Sequence, residues 1–357
     1  MHNDTRKTLL VGSMPFENER DAMSQALNIL GTSLISLPDG EIGEKSEQYP
    51  NGYRAAWTQA IIDLCEADPK NWKVVRKAIR GENGFPVDYN HTPRLKPKHP
   101  PKAMAKHLDF RWLKYFKDSY PIFKDLREKQ GTPELKFQVG LPTGLGIAFA
   151  MMSPINAFKY ADAFNQRMAY EANEMLKIAG PENLQFQLEV PGELAMAYRL
   201  PKFMVGITLR SIFGLVTKLH PEAQVGIHLC LGDLNNEALT KAPSLDKMVH
   251  FSNKLVSGWS SPHKLLYIHY PLAEAAEPPP LQKAYYMPLK RIKLPENTRF
   301  VAGFVHDKRN DEENHQILRH IEDIRGHKVD IACSCGLGRR SPDTAKQLLQ
   351  LQSTLAA

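Results

Sequence analysis

The chain has 357 residues, 42% of them hydrophobic, and a formal net charge of +7. That length suits one large α/β barrel with an insertion, or two domains, and its four cysteines are too few for a disulfide framework. No apolar run reaches membrane-spanning length, and the polar opening Met1-His-Asn-Asp-Thr-Arg-Lys7 holds no signal-peptide core, so a soluble cytoplasmic protein without a membrane partner is expected.

Eight short apolar runs read as strands: Leu9–Ser13, Ser33–Pro38, Leu135–Val139, Leu184–Glu189, Gln224–Cys230, Lys264–His269, Arg299–Val305 and Lys328–Cys333. Helical spacing fills most of the gaps. Glu17–Leu30 follows the first strand, Asn156–Ile178 the third, Pro201–Leu219 the fourth, Leu245–Leu255 the fifth, Asp311–Ile324 the seventh and Ser341–Leu355 the eighth. Ser153-Pro154 and Ser341-Pro342 put a hydroxyl at the cap and proline in the first turn. Strands alternating with helices predict parallel units with right-handed crossovers, hence a single (β/α)8 TIM-barrel domain over residues 1–357. A doubly wound open sheet lacks its glycine-rich dinucleotide fingerprint.

The stretch after the second strand is too long for one loop. Residues 43–131 are expected to form a helical cap or lid over the barrel mouth, with helical pieces at Gly52–Ala67, Trp72–Ile79 and Leu108–Lys129. Residues 91–129 hold eleven Lys/Arg against four Asp/Glu. This reads as a solvated face or as a basic rim attracting an anionic small molecule. No Arg-rich helix, zinc-finger spacing or RNA-binding aromatic motif accompanies it, so no nucleic-acid partner is expected.

The active site of such a barrel lies at the C-terminal ends of its strands. Ser13, Glu41, Thr143, Glu189, His228, Cys230, His269, His306 and Cys335 all fall there. On a strand, side chains i and i+2 share a face, so His228 and Cys230 aim together as soft ligands. A third thiolate, from Cys335 or its competitor Cys333, would complete three ligands with one position open, the pattern of a catalytic zinc. Cys65 reads as inert core. His306 and Lys308 are candidates to give a leaving group its proton. Arg339 or Arg340 could grip a carboxylate or sulfonate bidentately, or form a surface salt bridge. Phe149, Met151 and Met152 read as wall packing.

Six segments, in order, resemble the catalytic barrel of the cobalamin-independent methionine synthase family. They are Leu10-Val-Gly-Ser-Met-Pro15, Pro38-Asp-Gly-Glu41, Val139-Gly-Leu-Pro-Thr143, Gln187-Leu-Glu-Val-Pro191, His228-Leu-Cys230 and Ser334-Cys335-Gly-Leu-Gly-Arg-Arg340. The resemblance implies a barrel of the uroporphyrinogen decarboxylase and methionine synthase superfamily and a zinc cofactor that binds a substrate thiol. It selects Cys335 over Cys333. It implies that Ser13 meets the thiol substrate through backbone and that Glu41 and Glu189 bind an amino group; Thr143 and Arg340 complete the expected substrate-binding set. Departures stand beside it. The family's second, N-terminal barrel is missing. Its glutamate ligand on the strand after the His-x-Cys strand is replaced by His269, expected as a possible fourth metal ligand. Its seventh-strand acid is out of register at Val305-His306-Asp307-Lys308. At the metal the chain is equally similar to epoxyalkane:coenzyme M transferase. Alkyl or methyl transfer to a small thiol, from a separate small donor, is therefore the expected reaction, and an oligomer is compatible with it. The alternatives are a metal-free decarboxylase-like lyase acting on an anionic substrate, or a methyltransferase served by a separate corrinoid protein.

Overall fold

A computed structural model describes residues 5–47, 49–56, 58–260 and 262–357. Among these, β1 (Thr8–Leu9), α1 (Glu19–Leu30), β2 (Leu37–Pro38), α2 (Thr58–Glu66), β3 (Trp72–Arg76), β4 (Arg94–Pro97), α3 (Pro101–Met104) and α4 (Trp112–Lys129) come first. Then follow β5 (Phe137–Pro142), α5 (Gly144–Met151), α6 (Pro154–Ala179), β6 (Leu184–Glu189), α7 (Pro191–Arg199), α8 (Val205–Val216), β7 (Gln224–His228), α9 (Asp246–Ser257) and β8 (Lys264–Pro271). The chain ends with α10 (Lys283–Tyr286), β9 (Arg299–Val305), α11 (Asp311–Arg325), β10 (Asp330–Cys333) and α12 (Pro342–Ala356).

Eight strands form one parallel sheet in the order β1-β10-β9-β8-β7-β6-β5-β2. Its two edges meet where Thr8 bridges Leu34 and the Ile35 amide donates to the Thr8 carbonyl at 2.9 Å. The sheet therefore curls round as the alternation predicts, a TIM-barrel-like α/β fold. Each of the eight strand candidates overlaps one of these strands, the first only at Leu9.

The barrel interior is filled by side chains. Tyr267 of β8 packs with Leu9, Val301 and Ala332, and its ring lies over Gly226, where a Cβ would come within 2.1 Å of it. The Tyr267 hydroxyl donates to Gln187 at 3.0 Å, and Gln138 donates to the Leu10 carbonyl at 2.8 Å. Gln138 and Gln187, which also donates to the Val11 carbonyl, thus satisfy the backbone just past the short β1 from inside the barrel.

The 43–131 stretch divides. Trp72–Ile79, expected as helix, instead contributes β3, paired antiparallel with β4. Its Trp-Lys-Val-Val-Arg run alternates a buried Trp72 with exposed positions and carries β-branched residues, which suits a pleated edge. The long α4 packs on α1 and α6 outside the barrel, so it serves as the crossover helix between β2 and β5.

Candidate metal centre and substrate cavity

Strand register builds the floor of the site. Glu189 pairs with His228, and His228 pairs with His269, so one row crosses β6, β7 and β8 at their C-terminal ends. The strand β7 ends at His228, so Cys230 lies beyond it rather than on it. A tight turn, with the Cys230 amide donating to the His228 carbonyl at 2.9 Å, still brings its sulfur back to the same side. Three strands away from β7 around the sheet, β10 ends at Cys333 after an irregularity at Ala332/Cys333, and the loop beyond delivers Cys335.

His228, Cys230 and Cys335 offer ligand atoms that all lie within 4.8 Å of one another. The Cys335 Sγ to His228 Nε2 distance is 3.9 Å. Tetrahedral zinc with bonds of about 2.0–2.3 Å separates neighbouring ligands by about 3.5–3.8 Å. Two thiols and an imidazole at this spacing fit that ion. Cys333 does not join them; its thiol is buried, which pushes its pKa up to about 12.

His269 lies behind His228. Its Nε2 faces the Cys333 carbonyl at 3.1 Å, and its Nδ1 faces His228 Nδ1 at 2.6 Å. A carbonyl only accepts, so His269 Nε2 carries the proton. Burial lowers the His269 pKa to about 3, keeping the ring neutral, so its Nδ1 is an acceptor. His228 then donates from Nδ1 and presents the Nε2 lone pair to the cysteines. Burial, with His269 beside it, likewise holds the His228 pKa well below the usual range. Both nitrogens of His269 thus face partners within the protein, and His269, expected as a possible fourth ligand, stands outside the group of His228, Cys230 and Cys335.

Above this floor opens a cavity of about 420 Å³. Ser13, Glu41, Glu189, Cys230, Cys335 and Arg339 face it. The carboxylates of Glu41 and Glu189 converge over Gly140, where a Cβ would stand 2.9 Å from an oxygen of each. Burial pushes the Glu41 pKa up to about 7 despite Arg54, and burial together with Glu41 pushes Glu189 well above its ordinary range. Glu41 sits at φ +51°, a left-handed backbone held by its amide donating to Asp39 Oδ1 at 2.9 Å. Asp39 in turn pairs with Arg54 at 2.6 Å. Burial raises the Asp39 pKa, but Arg54 and hydrogen bonds from Ser119 and the Glu41 amide outweigh it and hold the carboxylate ionised.

Ser13 is laced to the cysteine loop. Its carbonyl accepts from Leu337 at 2.6 Å, and its Oγ accepts from the Gly338 amide at 3.3 Å. Tyr89, Asn90, Thr92 and Arg94, from the stretch after β2, line the far wall.

Other expected residues lie elsewhere. Thr143 is fully buried as the N-cap of α5 and donates to Glu193, outside the cavity lining. His306 is buried behind the Cys335 loop; its Nδ1 accepts from the Lys308 amide at 3.0 Å and its Nε2 faces the Ala275 carbonyl at 3.2 Å. The Lys308 side chain is exposed and outside the cavity lining. Arg340 turns the same way, with its Nε 3.1 Å from Asp307. Arg339, not Arg340, reaches the cavity, where its Nη1 is 3.4 Å from Asp233. Asp233 carried no weight in the sequence; its signal was its place three residues past Cys230, next to a glycine.

No protein-family model and no curated protein sequence matches the chain. Among solved structures, a B12-independent methionine synthase from a Shewanella species, in complex with selenomethionine, matches with a TM-score of 0.60. The match covers 99% of this chain and 97% of that one at 14% sequence identity. The two chains share one barrel fold. Among the described residues no helix is long and apolar enough to cross a membrane.

Proposed function

We propose that this protein is a zinc-dependent transferase that moves a methyl or other alkyl group onto the sulfur of a small thiol. One observation carries the reading: an imidazole and two thiols within 4.8 Å of one another, at the floor of a cavity in the mouth of the barrel. When bound, zinc supplies a Lewis acid that turns a thiol into a nucleophilic thiolate near neutral pH. The fold shared with a methionine synthase supports the reading.

The chain's own residues have separable tasks. His228, Cys230 and Cys335 hold the ion, and His269 keeps His228 Nε2 facing it. Glu41 and Glu189 form a compact acidic pair suited to a cationic group, either an ammonium on the thiol substrate or a positively charged donor. Their raised pKa values mean that an arriving cation draws them into the ionised form. The wall formed by Tyr89, Asn90, Thr92 and Arg94 covers the substrates and keeps water from the attacking sulfur; we read the non-helical part of the 43–131 stretch as this lid.

Arg94 and Arg199 favour a second reading, a metal-free lyase acting on a polyanion. Both line the cavity and neither pairs with a carboxylate among the described residues. The cysteines distinguish the two. A zinc transferase loses metal and thiol alkylation together in Cys230→Ala and Cys335→Ser, as read by metal analysis and by mass spectrometry of the alkylated thiol. Full turnover of an anionic substrate by both variants would establish the lyase.

A further inference from the structure

Among the described residues, Asp233 is the cavity carboxylate that keeps a buried oxygen without a hydrogen-bond partner. Oδ2 is 3.4 Å from Arg339 Nη1, whereas Oδ1 is buried and has no hydrogen-bond partner. The side chain is 8% exposed. A buried carboxylate oxygen left bare is destabilising, and such an atom commonly marks the place of an ion or water.

The local backbone aims it there. Gly232 sits at φ +86°, and a Cβ on it would fall 2.7 Å from both the Leu239 amide and the Tyr89 hydroxyl, so no other residue fits this turn. The Gly232 amide lies 3.3 Å from Cys230 Sγ. The turn places Asp233 in the wall of the cavity that Cys230 and Cys335 also line. Asp233 remains outside the group of three within 4.8 Å of one another. Its carboxyl torsion is a soft one, and turning it moves Oδ1 without breaking the chain path.

Resting on the zinc reading above, the geometry points to Asp233 as the fourth, carboxylate ligand of the metal in the thiol-free protein, through Oδ1. The charges agree. Two thiolates balance a dication, and Arg339 balances the charge of the added carboxylate. His269, spent on orienting His228, has no lone pair left for this position. A carboxylate is also the weakest of the four donors and so the one a substrate sulfur can replace.

Zinc-edge absorption of the zinc-loaded, thiol-free protein tests this. Wild type gives two sulfurs in the first shell. Asp233→Cys raises the count to three if position 233 reaches the metal. Asp233→Ala weakens zinc binding by about tenfold or more in competition with a chromogenic chelator, a loss of the size expected for a coordinating group. Near-ultraviolet dichroism confirms that each variant is folded; should one fail to fold, the other carries the test. A folded Asp233→Cys protein that stays at two sulfurs, or a folded Asp233→Ala protein with unchanged affinity, overturns the assignment while leaving the zinc reading intact. A wild-type protein that takes up no zinc overturns both.

Discussion

His228 and His269 face each other through their Nδ1 atoms at 2.6 Å, on adjacent strands and in register. That contact fixes which nitrogen of His228 is free to bind a metal. His269→Ala should therefore lower zinc affinity by about 10–100-fold with the fold retained, as read by chelator competition and thermal unfolding. His269→Gln, which keeps an acceptor, should lie between. Equal affinities in all three proteins would show that the imidazole pair orients nothing.

Gly303 leaves the room that His269 needs. A Cβ there would stand 2.3 Å from His269 Nε2. Gly303→Ala should push the ring off the Cys333 carbonyl and reproduce the His269→Ala loss of metal affinity, although residue 303 touches none of the three ligands. Zinc titration of this variant checks it.

Gly226 plays the corresponding part deeper in the barrel, beneath Tyr267. Overfilling a packed interior costs about 1–3 kcal/mol. Gly226→Ala should lower stability by about that much in urea unfolding, and pairing it with Tyr267→Phe should not restore it, because the clash is with ring carbons.

Burial raises the Glu193 pKa to about 7, from an ordinary 4.5. Between those values the folded protein holds a proton that the unfolded chain has released. The contribution to stability is then whole below about pH 4.5 and is lost as pH rises through 7. Glu193→Gln, away from the metal cluster, should flatten that part of the stability profile. Urea midpoints at pH 5 and pH 7.5 that differ as much in the variant as in wild type would contradict the assignment.

The strands and most of the long helices were legible because apolar runs of strand length alternate with helical spacing. Trp72–Arg76 misled because a short run with one buried face fits either period, and its partner β4 lies about twenty residues on. The cysteines and His228 were legible from residue type. The way they meet was legible only in part: β7 stops before Cys230, and a turn replaces the strand alternation that was expected to align the pair. His269 could not be placed from sequence. A ligand and a ring that orients a ligand have the same residue type, and only the cross-strand hydrogen bonds separate them. Arg339 and Arg340 present the same difficulty, since one residue of loop geometry decides which enters the cavity. Asp233 was missed because a lone carboxylate after a glycine carries no pattern.

The reading as a whole rests on a sulfur-rich metal centre that accepts one more sulfur. Zinc-edge absorption of the protein purified without chelators, recorded before and after adding small thiols, measures this directly. The account predicts about one zinc per chain, with two sulfurs from Cys230 and Cys335 rising to three when a substrate thiol binds. A folded protein free of zinc, or a first shell whose sulfur number no thiol alters, would contradict it.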